Sequence, residues 1–227
     1  MLAILLLITL VATLVSQSRS LPTQNVLLAA AIIGFISGVV ELIGAASGIP
    51  FGPRIFLDES GPQIFGMLPW SLPVLWTVFL LNSRGVARLV LRPWRKSKTY
   101  GFRVIGLTCL LVVALDLGFE PFASRANHFW IWQSRKNVLA WYDAPWVNFF
   151  SVGLTALLIL VFATPSLINK SPSSSKRPPD YQPLILWLVM NLYFASANGI
   201  AGLQLAMIVG LVVSLIAGNF AVRGARW

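Results

Sequence analysis

The sequence predicts an all-α fold, a polytopic transmembrane bundle of about seven helices. Three observations point there. Hydrophobic residues make up 57% of the 227 and charged residues only 11%, too little charge to cover a water-facing surface of this size. Apolar runs of about 20 residues, the length that spans a bilayer, recur along the whole chain. The basic residues behind the net charge of +10 lie in short segments between those runs, the distribution that membrane topology produces rather than nucleic-acid binding.

The apolar runs are roughly 1–16, 26–47, 66–82, 103–119, 148–168 and 184–222. The first is short and reads as an ordinary first helix. A cleaved signal peptide is the alternative, leaving six helices, but Ser16-Gln17-Ser18 is a poor small-x-small cleavage site. The last run is too long for one crossing. Ala197-Asn198-Gly199 supplies a turn signal within it, giving a C-terminal helical hairpin over 183–222 with helices near 183–197 and 200–221. The whole chain, 1–227, is expected to be one integral membrane domain. The stretch from Lys170 to Pro183 is polar and rich in Pro and Ser, a connector.

Lysine and arginine give the orientation. One set of alternate loops holds Arg19, Arg84, Arg88, Arg92, Arg95, Lys96, Lys98, Arg103, Lys170, Lys176, Arg177, Arg223 and Arg226, which is 13; the other holds Arg54, Arg125, Arg135 and Lys136, which is 4. The N-terminus is therefore expected outside and the C-terminus in the cytoplasm, in the cell membrane. The second and fourth helices then run in the same direction. This sets three acids, Glu41, Asp116 and Glu120, at similar depth towards the outer leaflet, beneath the long loops 48–65 and 120–147.

Ionisable groups at membrane depth are expensive, and they mark a function when a partner can be named. Gly34, Gly38, Glu41 and Ala45 share one arc of a helix, and a GxxxG pair marks a face that another helix approaches closely. Glu41 is thus expected to point into the bundle, either as a reactive group or as a structural glutamate hydrogen-bonded to a neighbouring helix. Asp116 and Glu120 are one turn apart, and Pro121 sets them near a helix C-terminus. Two carboxyls so placed resist being ionised together, and a neutral carboxyl is what a general acid requires. The alternative is an interfacial Glu120 paired with Arg125.

Trp130, Trp132, Trp141 and Trp146 crowd the loop after Glu120. They read as an interfacial belt, or as the roof of an apolar pocket whose ring faces stabilise a cation. As a strand, Trp130 and Trp132 would share a face. Asn148 reads as a partner of one of the acids or as a helix N-cap. Cys109 and His128 each stand alone, which excludes an intrachain disulfide framework and any multi-histidine or multi-cysteine metal site. No phosphate-cradling glycine motif occurs.

Two blocks carry a resemblance. The first is Glu41, Gly44, Gly48, Pro50, Phe51 and Gly52. The second is Asp116, Glu120, Pro121, Trp130, Trp132, Tyr142, Pro145, Asn148 and Phe149. Over a motif-bearing core of about 30–155 the chain resembles the CruF-type carotenoid biosynthesis membrane proteins, the carotenoid 1,2-hydratases such as the bisanhydrobacterioruberin hydratase-like members. Ser47 stands where their pattern has threonine, and Arg54 and Phe56 stand near where it has tyrosines. The resemblance implies addition of water to the terminal double bond of an acyclic carotenoid end group by proton donation and a tertiary carbocation. Glu41, Asp116 and Glu120 would be catalytic. Pro50, Phe51, Trp130, Trp132, Tyr142, Asn148 and Phe149 would bind substrate. The implied partners are the lipophilic carotenoid, the lipid bilayer and other carotenoid biosynthesis enzymes, with no nucleic acid. The chemistry demands no metal, redox cofactor or nucleotide. Three other readings compete: a carotenoid cyclase with the same proton chemistry, a proton-coupled small-molecule transporter, and a non-catalytic assembly protein.

Overall fold

The least apolar of the long helices lies at the centre of the bundle. A computed structural model describes residues 2–133, 139–168 and 178–227. Among these are seven helices: α1 (Leu2–Ser18), α2 (Thr23–Ser47), α3 (Ser71–Val90), α4 (Tyr100–Pro121), α5 (Trp146–Ala163), α6 (Gln182–Ile200) and α7 (Gln204–Ala225). Helix α3 packs against α1, α2, α4, α6 and α7, so little of it faces lipid and its polar side chains find protein partners. Asn82 donates to Thr13 Oγ1 on α1 at 2.8 Å, and Ser83 Oγ accepts from Trp187 Nε1 on α6 at 3.1 Å. Arg84 donates to the carbonyl of Leu167 at 2.8 Å.

This placement corrects the expected third crossing. The apolar run 66–82 suggested a helix that ends near Asn82. The helix instead begins at Ser71 and continues through Asn82, Ser83, Arg84 and Arg88, because the surrounding helices satisfy groups that lipid could not. Five other helices, α2 and α4 to α7, are long and apolar enough to cross a membrane, and α1 packs beside them against α2, α3 and α6. Their outward faces carry exposed apolar side chains such as Phe35, Phe102 and Leu215. The protein is an all-α integral membrane protein. The turn between α6 and α7 falls at Ala201–Leu203, just beyond the Ala197-Asn198-Gly199 signal. Asn198 is instead buried within α6, where its side chain donates to the carbonyl of Gly118 at 2.8 Å.

The described basic residues Arg88, Arg92, Arg95, Lys96, Lys98, Arg103, Arg223 and Arg226 gather at the end where α3 and α7 finish and α4 begins. Arg135, Lys136, Lys170, Lys176 and Arg177, and with them most of the Pro/Ser connector, lie outside the described residues. At the opposite end the described parts of the two long loops form a cap. Strand β1 (Arg54–Phe56) pairs antiparallel with β4 (Trp130–Trp132), with Arg54 opposite Trp132 and Phe56 opposite Trp130. Hairpins β2 (Gln63–Ile64) with β3 (Leu68–Pro69), and β5 (Ala140–Trp141) with β6 (Ala144–Pro145), complete it.

Strand alternation decides what the cap shows the bundle. Trp130 and Trp132 are buried while Ile131 between them is exposed, and opposite them Arg54 is buried while Ile55 is exposed. Facing residues of an antiparallel pair share a side, so Arg54, Phe56, Trp130 and Trp132 all face inward. Gly52 permits this closure. Its φ is +111°, and a Cβ there would stand 2.9 Å from Pro145 and 3.3 Å from Trp132.

Candidate functional site

Helix α2 carries Glu41 inward as the GxxxG arc predicts. The backbone at Gly38 lets Pro73 of α3 within 3.4 Å of where a Cβ would be, and Glu41, one turn on, is buried. Two groups hold its carboxylate. Arg54 Nη2 forms an ion pair with Oε2, and Trp76 Nε1 of α3 donates to Oε1 at 2.8 Å. The guanidinium is wrapped by Phe51, Phe56, Trp130 and Trp132, whose ring centroids lie 5.0–5.4 Å from its central carbon. Four rings at that distance suit a flat, weakly hydrated cation.

Asp116 and Glu120 lie on the inner face of α4, both buried. Glu120 Oε2 accepts from Trp132 Nε1 at 3.0 Å and from Trp130 Nε1 at 3.3 Å. Asn148, in the first turn of α5, spans the two acids: its Nδ2 lies 3.1 Å from Asp116 Oδ2 and 3.3 Å from Glu120 Oε1. The N-cap position of α5 belongs to Pro145, so Asn148 serves the acids rather than the helix end. Arg125 does not pair with Glu120. It forms a two-pronged ion pair with Asp143 at 2.5 and 2.7 Å, out on the surface.

These groups surround a chamber of about 30 Å³, enough for a water molecule. Glu41, Arg54, Asp116, Glu120 and Asn148 supply its polar wall; Trp76, Phe79, Phe119 and Trp130 supply aromatic wall, and Leu72, Leu75, Val112 and Val152 aliphatic wall. The sequence-predicted residues distribute unevenly around it. The three acids, Trp130 and Asn148 line it directly. Phe51 and Trp132 stand one layer back, against Arg54. Pro50 is tied to α5, its carbonyl accepting from Ser151 Oγ at 2.7 Å. Phe149 is buried beside Trp146 at 5.4 Å, and Tyr142 reaches the start of α7, its hydroxyl accepting from the Ala206 amide at 3.3 Å. Trp141 donates to the Leu117 carbonyl at 2.9 Å, and Trp146 is exposed. His128 is exposed, in the short link between α4 and β4. The tryptophans thus divide between roof and belt.

Sequence reasoning missed Arg54 and Trp76. The sequence reading sets Arg54 among the outer-loop cations and near the tyrosine positions of the family pattern, without a role at the site. Its signal was faint: a lone arginine between apolar residues in Arg-Ile-Phe, a short rigid loop after Glu41. Trp76 had none, since a tryptophan in an apolar helix has many uses.

The family model described as carotenoid biosynthesis protein matches residues 1–217. The chain belongs to the carotenoid biosynthesis protein family. A curated relative, the bisanhydrobacterioruberin hydratase of Haloarcula japonica, is 31% identical over 110 residues, which is 48% of this chain and 35% of that relative. The match thus spans about a third of the hydratase's length. No solved structure matches this member of the family.

Proposed function

We propose that the protein hydrates the terminal carbon–carbon double bond of an acyclic carotenoid end group. The observation that carries this reading is Asn148 bonded to both Asp116 and Glu120 in a small, aromatic-walled chamber of water size. Membership of the carotenoid biosynthesis family and the partial match to a hydratase support it.

Asp116 and Glu120 take different parts. Glu120 receives three N–H donors, from Trp130, Trp132 and Asn148, and Asp116 receives one, from Asn148. Hydrogen-bond donors favour the charged form of a carboxyl, so Glu120 is the base and Asp116 the acid. Asp116 gives its proton to the less substituted alkene carbon. The dimethyl-bearing carbon becomes a tertiary cation, sheltered by the rings of Phe79 and Phe119. A water oxygen bonds to that carbon, and Glu120 takes the proton the water loses. Proton exchange between the two carboxyls restores the starting state, so alkene plus water gives a tertiary alcohol with nothing left over. Glu41 neutralises Arg54, which keeps a bare guanidinium charge away from the forming cation.

The substrate is a membrane solute, and its end reaches the acids by parting the aliphatic wall of the chamber. The excess of basic residues at the far end of the bundle supports placing this chamber towards the outer leaflet.

Expression in a host that accumulates lycopene, followed by chromatography and mass spectrometry of the pigments, tests the proposal. A product heavier by one water is expected. An isomer of lycopene would indicate cyclisation instead, and unchanged pigment would defeat the reading.

A further inference from the structure

We propose that the outer groove between α6 and α7 is a binding site for an anionic glycerophospholipid. The groove is remote in sequence from the acids and their cap, and no part of the proposed reaction uses it. It has a volume of about 800 Å³, the size of a ligand site rather than a packing defect.

Its lining changes along α7 in an order that matches a lipid's own chemistry. Arg226 and Arg223 stand at the end of the helix, then Asn219, then Leu215 and Leu211, with Leu192 of α6 opposite. Both arginines are exposed and belong to the basic end of the bundle. They suit a phosphate, which guanidinium grips through paired N–H donors. Asn219 is exposed as well, an amide on a surface that otherwise faces hydrocarbon. A polar group left unmatched in lipid is costly, so the occupant should offer it a hydrogen bond. From Arg223 to Asn219 is four residues, about 6 Å along the helix axis. That is roughly the depth at which a glycerol ester lies below its phosphate. The leucines beyond take an acyl chain.

The arginines also bear on the other candidates. A second copy of this chain seated on the same groove about a two-fold axis would bring the cations of both copies together, with no acid in the groove lining to offset them. A bare polyene would leave Asn219 and both arginines unmatched. The helix end cannot turn to hide them: a Cβ at Gly224 would stand 2.3 Å from the Leu89 carbonyl oxygen, so α7 is locked against α3 at this level.

Native mass spectrometry of the full-length protein in neutral detergent tests the proposal, using dioleoyl phosphatidylglycerol and dioleoyl phosphatidylcholine, which share their chains. Wild type should retain one phosphatidylglycerol per chain under activation that strips phosphatidylcholine, with at least tenfold preference. The double variant R223Q/R226Q should lose that preference, and R223K/R226K should keep most of it. Asn219→Leu should weaken retention of phosphatidylglycerol several-fold. Melting curves in the same detergent confirm that each variant is folded, and Asn219→Leu carries the test if the glutamine pair is not, full retention by it overturning the assignment. Equal retention of both lipids by wild type, a preference that survives R223Q/R226Q, or a dimer that excludes lipid would each overturn the assignment.

Discussion

Glu41 is closed against Arg54, an ion pair in which both side chains are almost wholly withdrawn, at 5% and 4% exposure. The two come from different kinds of structure, a membrane helix and a short cap strand, so the pair fastens the roof to the bundle. Breaking a buried pair by removing one partner strands the other charge, which costs about 3–5 kcal/mol. Glu41→Gln and Arg54→Gln should each lower the melting temperature in detergent by an amount of that order. The double variant E41Q/R54Q should be more stable than the sum of the singles implies, because it leaves no lone charge. Strict additivity in that cycle would show that the pair is not coupled.

Asp116 and Glu120 should respond as acid and base. Asp116→Asn and Glu120→Gln keep shape and remove the transferable proton or its acceptor. Each is expected to lower hydration of lycopene by about 10²–10⁴-fold, the range ascribed to general acid–base groups. Both variants should stay folded, since neither acid has an ion-pair partner among the described residues. Asn148→Ala should cost about 10²-fold, as does loss of one oriented donor elsewhere. The measurement is product formed per unit of folded protein in membranes of the producing host. Full activity in Asp116→Asn would remove this residue from the mechanism.

Two tryptophans separate chemistry from architecture. Trp132→Phe keeps a ring beside Arg54 but removes the N–H that Glu120 accepts at 3.0 Å. A hydrogen bond to a charged group contributes about 1.5–3 kcal/mol, so activity should fall about tenfold or more. Trp141→Phe removes a bond to the Leu117 carbonyl, away from the chamber. It should cost about 1 kcal/mol of stability and leave activity per folded protein unchanged. Equal loss of activity in the two would mean that Trp132 acts only by holding the cap.

Much of this was legible in the residues, and what was not has physical causes. The helix bundle follows from hydropathy, and the inward turn of Glu41 follows from the Gly34–Gly38 face. The shared face of Trp130 and Trp132 follows from strand period once a strand is assumed. The limits of α3 were not legible, because Asn82, Ser83 and Arg84 are tolerated only through partners on α1, α6 and beyond α5. The Glu41–Arg54 pair was hidden for the same reason. A lone loop arginine reads as interfacial until the register of β1 on β4 shows that it faces inward. Arg125 is the nearer cation to Glu120 in sequence, yet Asp143 holds it at the tip of the β5–β6 hairpin. Nearness along the chain is a weak guide where two loops fold over one another.

Close packing of α3 makes its glycine a sharp test of the bundle. A Cβ at Gly85 would stand 2.3 Å from Pro183 Cβ and 2.7 Å from its Cγ. The proline ring is rigid and sits in the first turn of α6, so it cannot rotate away. Gly85→Ala must push α3 and α6 apart, and overpacking of this kind costs about 1–3 kcal/mol. Gly106 of α4 is the contrast, with nothing within 4 Å of an added Cβ. There alanine meets open space and brings its better helix propensity, worth up to about 1 kcal/mol. Thermal unfolding in one detergent should therefore move in opposite directions for the two substitutions, down for Gly85→Ala and level or up for Gly106→Ala. A Gly85→Ala protein as stable as wild type would mean that α6 does not seat on α3 as described. Asn82 and Ser83 would then lose the setting that lets a polar helix run through the middle of a membrane protein.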